Sequence, residues 1–407
     1  MNSFVGMNPQ LQHLYEIAQK PERRIIGLTS GTSLDGLDVA LCRITGHGRR
    51  TAVTLEQFAT VPYTDDVKAE IRAVFAKEEI NFEHLCLLNP WIGRLHGRLV
   101  RDCLRGWNVA PAEVDLIASH GQTVYHAPQK QHRQDKFPNA TLQIGDGDHV
   151  AAETGVITLS DFRQKHVAHG GEGAPLAVYG DYFVFSSETE NRILLNMGGI
   201  ANFTYLPRDG RASDVFTTDT GPGNTLLDAY ARQFLNKPYD ENGALAAAGQ
   251  VNGALLTALK ANPFFEAPFP KTTGPEVFST HYVTAAQERS GTVGLAPADL
   301  LATLTRFSAE TIAEAIRRVL RADEPYHVYL SGGGMHNPVL TSHLRTLLPA
   351  TCSFGRTDEL GIPGDAKEAV LFAVLANETV AGNPADTDFG DRQGVPSVTM
   401  GKVSFPV

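Results

Sequence analysis

Ile25-Ile26-Gly27-Leu28-Thr29-Ser30-Gly31-Thr32-Ser33-Leu34-Asp35-Gly36-Leu37-Asp38-Val39-Ala40-Leu41-Cys42 reads as two apolar strands around a turn of Gly, Ser, Thr and Asp. That pattern predicts a β-hairpin, with Asp35-Gly36 as the positive-φ pair at its tip. The turn offers more than a surface hairpin requires. Gly31 and Gly36 let backbone N–H groups converge on an anion, and the hydroxyls of Thr32 and Ser33 add donors. Asp35 and Asp38 would repel a phosphate unless a cation stood between them. A Mg²⁺-nucleotide resolves the conflict, because Mg²⁺ favours carboxylates, waters and phosphate oxygens. Residues 31–38, including Leu34 and Leu37, are therefore expected to bind the phosphates of a nucleotide, with Asp35 on the metal.

Around this hairpin, 407 residues are too many for one compact core, so two domains are expected. Hydrophobic residues at 42% and charged residues at 20% describe an ordinary globular protein. A net charge of −10 argues against non-specific binding of nucleic acid or anionic membrane. Cys42, Cys86, Cys103 and Cys352 are scattered without C-x-x-C spacing, so a reduced, cytoplasmic setting is expected. No secretory signal and no membrane-length apolar run is visible. Leu11, Leu14, Tyr15 and Ala18 fall at helical spacing, which makes residues 1–24 a helical extension used for packing or an oligomer contact.

A third strand is expected over 53–58, helices over 64–76 and 81–104, and a buried strand over 115–119 ending in His120-Gly121-Gln122-Thr123. No G-x-G-x-x-G opens a helix after a strand and no G-x-x-x-x-G-K-[ST] occurs, so dinucleotide and P-loop readings lose their usual support. The wholly polar Ser186–Asn191 marks a domain boundary, giving lobes of 25–190 and 191–407. Beyond it, an apolar strand enters the turn Gly198-Gly199 and returns, repeating the opening design. Asp219-Thr220-Gly221-Pro222-Gly223-Asn224 then leads into a helix that Asn224 could cap; a glycine turn there is an anion site by geometry and dipole. Gly332-Gly333-Gly334 follows the strand 327–330 and permits a flat ligand to lie on the backbone.

Glycine turns at 31, 198, 221 and 332 occur in the order used by the superfamily of sugar kinases, heat-shock ATPases and actin. More narrowly, the chain from about Ile25 onward resembles the anhydro-N-acetylmuramic acid kinases. Ser30-Gly-Thr-Ser-Leu-Asp-Gly-Leu-Asp38, Ser119-His-Gly-Gln-Thr123, Leu142-Gln-Ile-Gly145, Asp161-Phe-Arg163, Gly173-Ala-Pro-Leu176, Asn196-Met-Gly-Gly199, Asp219-Thr-Gly-Pro-Gly-Asn224 and Gly332-Gly-Gly334 carry the match. The resemblance implies an α/β, two-lobed actin-like fold of duplicated mixed-sheet domains around an ATP cleft. It also implies a homodimer and ATP-dependent phosphorylation of 1,6-anhydro-N-acetylmuramic acid with opening of its ring. His166 and Glu172 depart from the family's usual Asp and Gln and bear on which anhydro-sugar is used.

The resemblance makes Asp219 the general base, and Gly221, Gly223, Asn224, Gly332 and Gly333 the remaining ATP contacts. It turns His120, Gln122, Arg163 and Glu368 toward the sugar, with Arg163 meeting the lactyl carboxylate bidentately and Glu368 near metal or sugar. Residue by residue, plainer readings stand beside these. His120 and Gln122 fit satisfied polar residues at a strand end, and Asp365-x-x-Glu368 fits a helix capping box. An aspartic-protease reading of Asp219-Thr220-Gly221 fails because no second D-T-G or D-S-G supplies the dyad. A kinase for another anhydro-sugar such as levoglucosan, or a non-catalytic binding protein, remains as an alternative function.

Overall fold

The computed structural model describes residues 6–31, 33–174, 176–383, 389 and 396–407, so Thr32 of the hairpin turn lies outside the described residues. The chain forms two compact units, Met1–Phe185 with Arg211–Ser213 and Gly361–Val407, and Ser186–Gly210 with Asp214–Leu360.

In the first unit, strands β1 (Glu22–Ser30), β2 (Gly36–Thr45), β3 (Ala52–Pro62), β4 (Leu116–Ala127), β5 (Ala140–Ile144) and β6 (Thr158–Ser160) share one sheet with a short carboxyl-terminal strand, Lys402–Ser404. β1, β2 and β3 are antiparallel neighbours, with Ile25 opposite Cys42; β4 runs parallel to β1 and β6 parallel to β4. The apolar run of β1 is fully buried because both of its faces are covered. Ile26 and Leu28 pack on one side with Leu88, Ile92 and Val100 of the helix Phe82–Gly106. The helix Lys367–Ala381 lies on the other, so close that a Cβ on Gly27 would sit 1.8 Å from the carbonyl oxygen of Ala369.

The second unit repeats this plan. Strands β7 (Asn191–Met197), β8 (Ile200–Leu206) and β9 (Phe216–Pro222) form an antiparallel meander. β10 (Tyr326–Ser331) pairs parallel to β7, and β11 (Cys352–Arg356) parallel to β10. The spatial order β9-β8-β7-β10-β11 mirrors β3-β2-β1-β4-β6 strand for strand. Two mixed sheets built on one design are what the α/β fold class requires.

Three expectations need correction. Residues 361–407 fold with the amino-terminal unit and not with the 191–407 lobe. The helix Lys367–Ala381 buries an unbroken run from Ala369 to Glu378, and it must be covered on several sides. Its far end is tied to β1, where Arg23 Nε donates to Asn377 Oδ1 at 2.6 Å. At the hairpin tip the positive φ falls on Leu34, at 60°, and not on Asp35-Gly36. Gly36 opens β2, where a Cβ would meet the carbonyl oxygen of Val61 at 2.2 Å; it is glycine for close strand approach. The capping box at Asp365 is not formed either, because Ala366 holds the cap position without a side-chain bond.

Gly27→Ala is expected to destabilise the first unit by at least about 1–3 kcal/mol, since its Cβ meets backbone that cannot rotate away. A lower urea midpoint at unchanged slope checks this; an unchanged midpoint would show that the helix yields freely.

Candidate active site

In the first unit, the hairpin turn is exposed at Ser33 and Asp35, and a Cβ on Gly31 would meet only the Ser33 hydroxyl, at 3.5 Å. Leu34 and Leu37 point the other way and belong to the apolar core, so they anchor the turn instead of meeting a ligand. Leu34 N–H donates to the Gly31 carbonyl at 3.2 Å, closing the turn. Beneath it runs a buried polar chain. Ser30 Oγ donates to Gln122 Oε1 at 2.5 Å, and the Tyr63 hydroxyl bridges Ser30 Oγ and His96 Nε2 at 2.9 and 2.7 Å. Gln122 is fully buried, and its amide donates to the carbonyls of Gly31 and Thr123. It supports the turn from below; the sugar-facing role expected for it does not fit this position.

His120 likewise spends both ring nitrogens inside the protein. Nδ1 sits 2.9 Å from the Gly121 carbonyl, and Nε2 accepts from Arg163 Nε at 2.9 Å. Burial, then the Arg163 cation, push its pKa down to about 3, so it is a neutral acceptor. It aims Arg163 and does not itself reach outward. With Nε committed, the two terminal nitrogens of Arg163 carry no hydrogen bond among the described residues, an edge suited to a carboxylate. Glu368, at the start of the helix Lys367–Ala381, is exposed in its unit, yet the protein packed around its carboxyl raises its pKa, Arg163 lowers it and Asp38 raises it again. Asp38 is itself raised by burial and by Asp365 and Asp35, although Thr60 Oγ1 donates to it at 2.5 Å. Carboxylates whose charges act on one another in this way suit a cation. Among the described residues no three His, Cys, Asp or Glu form a complete metal cage. Mg²⁺ needs only one or two carboxylates when phosphates complete its shell.

The two departures from the family pattern are accommodated locally. His166 is buried and its Nδ1 accepts the Gly173 N–H at 2.9 Å, while a Cβ on Gly171 would strike its ring at 2.1 Å. Glu172 pairs with Lys130 at 2.8 Å.

In the second unit, Asp219 lies on β9 and is half-buried. Its Oδ2 accepts the Thr273 N–H at 2.8 Å, and its own N–H donates to the Lys271 carbonyl at 2.9 Å. Burial raises its pKa and the Thr273 N–H lowers it. The glycine turn at 221–224 is not the open anion site its sequence predicts. The N–H groups of Gly223, Asn224 and Thr225 donate to the carbonyls of Gly198 and Gly199, and a Cβ on Gly223 would lie 2.3 Å from Gly198 O. Gly221, at φ 136°, would press on the Phe265 ring. These glycines lock the helix Thr225–Leu235 to the exposed Gly198-Gly199 turn. Nor does Asn224 cap that helix with its side chain, which donates to Met197 O at 2.9 Å. Gly332, at φ 76°, approaches Asn196 and Met197 too closely for any Cβ. Asn224 and Gly333 do line a cavity of about 410 Å³ with Leu227, Asp228, Tyr239 and Leu301. That size and its mixed apolar and polar lining suit a small organic ligand. Tyr239, Asp228, Lys271 and Thr273 went unmarked in the sequence because they stand in no glycine motif.

A family model described as anhydro-N-acetylmuramic acid kinase matches residues 23–399. The chain belongs to the anhydro-N-acetylmuramic acid kinase family. It is 57% identical over 400 residues to the anhydro-N-acetylmuramic acid kinase of Pseudoalteromonas translucida, covering 98% of this chain and 100% of that one. The enzyme of Caldanaerobacter subterraneus subsp. tengcongensis is 36% identical over 401 residues, covering 97% and 100%. That of a Bacillus cereus strain is 38% identical over 386 residues, covering 94% and 99%. Family membership thus extends over both units and includes Asp219, Arg163 and Glu368 within the matched span.

Proposed function

We propose that this chain uses ATP to phosphorylate 1,6-anhydro-N-acetylmuramic acid at O6 while water opens the anhydro bridge. The product is N-acetylmuramic acid 6-phosphate, and the step belongs to cytoplasmic recycling of the cell wall. Family membership across residues 23–399 is the observation that carries this reading. Water oxygen bonds to the anomeric carbon, the bond from that carbon to O6 breaks, and O6 takes the γ-phosphoryl group of ATP. Asp219 removes the water's proton, for which a carboxylate of raised pKa is well matched.

The hairpin turn at Gly31, Ser33 and Asp35 faces the phosphates in this reading. The cavity at Gly333 takes the adenosine. Mg²⁺, when bound, neutralises phosphate charge, and Asp35 with Asp38 supplies the protein carboxylates for it. Glu368, placed against Arg163, serves the sugar side more readily than the metal. The open edge of Arg163 favours a sugar that carries a lactyl carboxylate over levoglucosan, which lacks one. The active chain is read as a homodimer, which sedimentation checks. Among the described residues no helix is long and apolar enough to cross a membrane.

Release of ADP across a panel of anhydro-sugars tests the reading. Fast release with 1,6-anhydro-N-acetylmuramic acid and slow release with levoglucosan is expected. No release with any sugar would return the chain to a non-catalytic binding role.

A further inference from the structure

We infer that Lys271 is a positioning residue, the buried anchor of the segment 271–273 that holds and aims the carboxylate of Asp219. The inference rests on Asp219 being the general base. Lys271 is only 8% exposed, an uncommon place for an ammonium group. No carboxylate stands within ion-pair distance of it among the described residues, and Glu266 acts on it only from farther away. Its Nζ donates instead to the carbonyls of Phe264 and Phe265, each at 2.8 Å. It also lies over the Phe264 ring at 4.4 Å and the Phe269 ring at 5.5 Å. Burial, then the nearby Arg318, draw the amine down to about 8, so the position resists the charge it carries. An apolar residue would fill this space at lower cost. What the ammonium adds is a fixed pair of bonds that staples the segment to the 263–266 turn.

The stapled segment holds the base residue from two sides. Asp219 N–H donates to Lys271 O at 2.9 Å, and two residues later Thr273 N–H donates to Asp219 Oδ2 at 2.8 Å. Thr218 Oγ1, next to the base on β9, accepts the Lys271 N–H at 3.0 Å. The carboxylate's direction is therefore set by a loop, and the loop's place is set by Lys271. Among the described residues no charged side chain shifts Asp219; burial and the Thr273 N–H set its proton affinity. If the segment slackens, that N–H bond lengthens and the base becomes both misaimed and harder to ionise.

Lys271→Met keeps the apolar stem and removes the staple. Turnover is expected to fall by about 10- to 100-fold with the KM for ATP nearly unchanged, the cost of a misplaced reacting group. The acid limb of the pH–rate profile is expected to move upward by about one unit, as a carboxylate losing one hydrogen bond should. Thr218→Val removes the acceptor of the Lys271 N–H with little change of shape; it should move the acid limb the same way and serves if Lys271→Met does not fold. Asp219→Asn is assayed alongside. An inactive Asp219→Asn beside a Lys271→Met enzyme with the parent's turnover and acid limb overturns the positioning role alone. A fall in turnover matched by a rise in KM for ATP, with the limb unmoved, overturns it too, as general loosening. An active Asp219→Asn overturns the base assignment, and the inference with it.

Discussion

Asp219→Asn should bind ATP and the anhydro-sugar and turn over about 10²–10⁴-fold more slowly, the range that positioned proton transfer contributes. The amide keeps the size of the carboxylate and its oxygen can still accept the Thr273 N–H, so the loss falls on chemistry and not on shape. Two further readouts separate a general base from a merely buried acid. Turnover in ¹⁸O-water should label the anomeric hydroxyl, read before anomeric exchange, and leave the ester oxygen at C6 unlabelled. The parent's activity should be lost as pH falls through the Asp219 pKa, and that limb should lie above the ordinary aspartate value of about 3.9. The same raised pKa has a consequence for stability. A carboxyl group whose pKa is higher folded than unfolded favours the fold while protonated and penalises it once ionised. The penalty is fully present above the folded-state pKa, so near neutral pH Asp219→Asn should melt at or above the parent's temperature. Solvent label in the ester linkage, or an Asp219→Asn enzyme near full speed, would remove Asp219 from this role.

The duplicated design was readable because each unit opens with an apolar run long enough to be a buried strand, followed by a glycine turn and a return. Patterns of this kind depend on neighbours in sequence. Apart from the tip of the hairpin and the capping box at Asp365, the errors fell where a residue's partner is distant in the chain. Gly36 and Gly223 look like phosphate-cradle glycines, yet their lack of a Cβ is used against Val61 and Gly198. Gln122 looks like a polar residue at a strand end, and only the fold shows Ser30 and Gly31 using its whole amide. The return of residues 361–407 to the first unit depends on contacts such as Arg23 with Asn377, 354 positions apart. Lys271 drew no notice because a lysine after a proline reads as loop surface, and its burial depends on three phenylalanines that fold over it. Asp219 and Arg163 were found for a different reason, namely that motif resemblance marks them even though their surroundings cannot be seen.

Arg163→Met should separate the two anhydro-sugars more sharply than any other change in the first unit. The parent presents the terminal nitrogens of Arg163 with Nε already held by His120. Two charge-assisted bonds to the lactyl carboxylate, each contributing about 1.5–3 kcal/mol, place the expected loss of kcat/KM for 1,6-anhydro-N-acetylmuramic acid at about 10²-fold or more. Levoglucosan has no carboxylate to lose, so its kcat/KM should change little. Glu368 complicates the variant because Arg163 is the cation that favours its ionised form. Without that cation the Glu368 carboxyl binds its proton more tightly, so both sugars should be compared at the same pH. Arg163→Lys keeps the charge but offers a point donor in place of a planar edge; it should recover Glu368 without recovering the full preference. His120→Leu should lie between parent and Arg163→Met, since it frees Nε and lets the guanidinium turn while keeping its charge. The order parent, His120→Leu, Arg163→Met in preference for the carboxylated sugar is the expected result. Equal losses on both sugars would mean that Arg163 supports the fold around Glu368 and does not select the substrate.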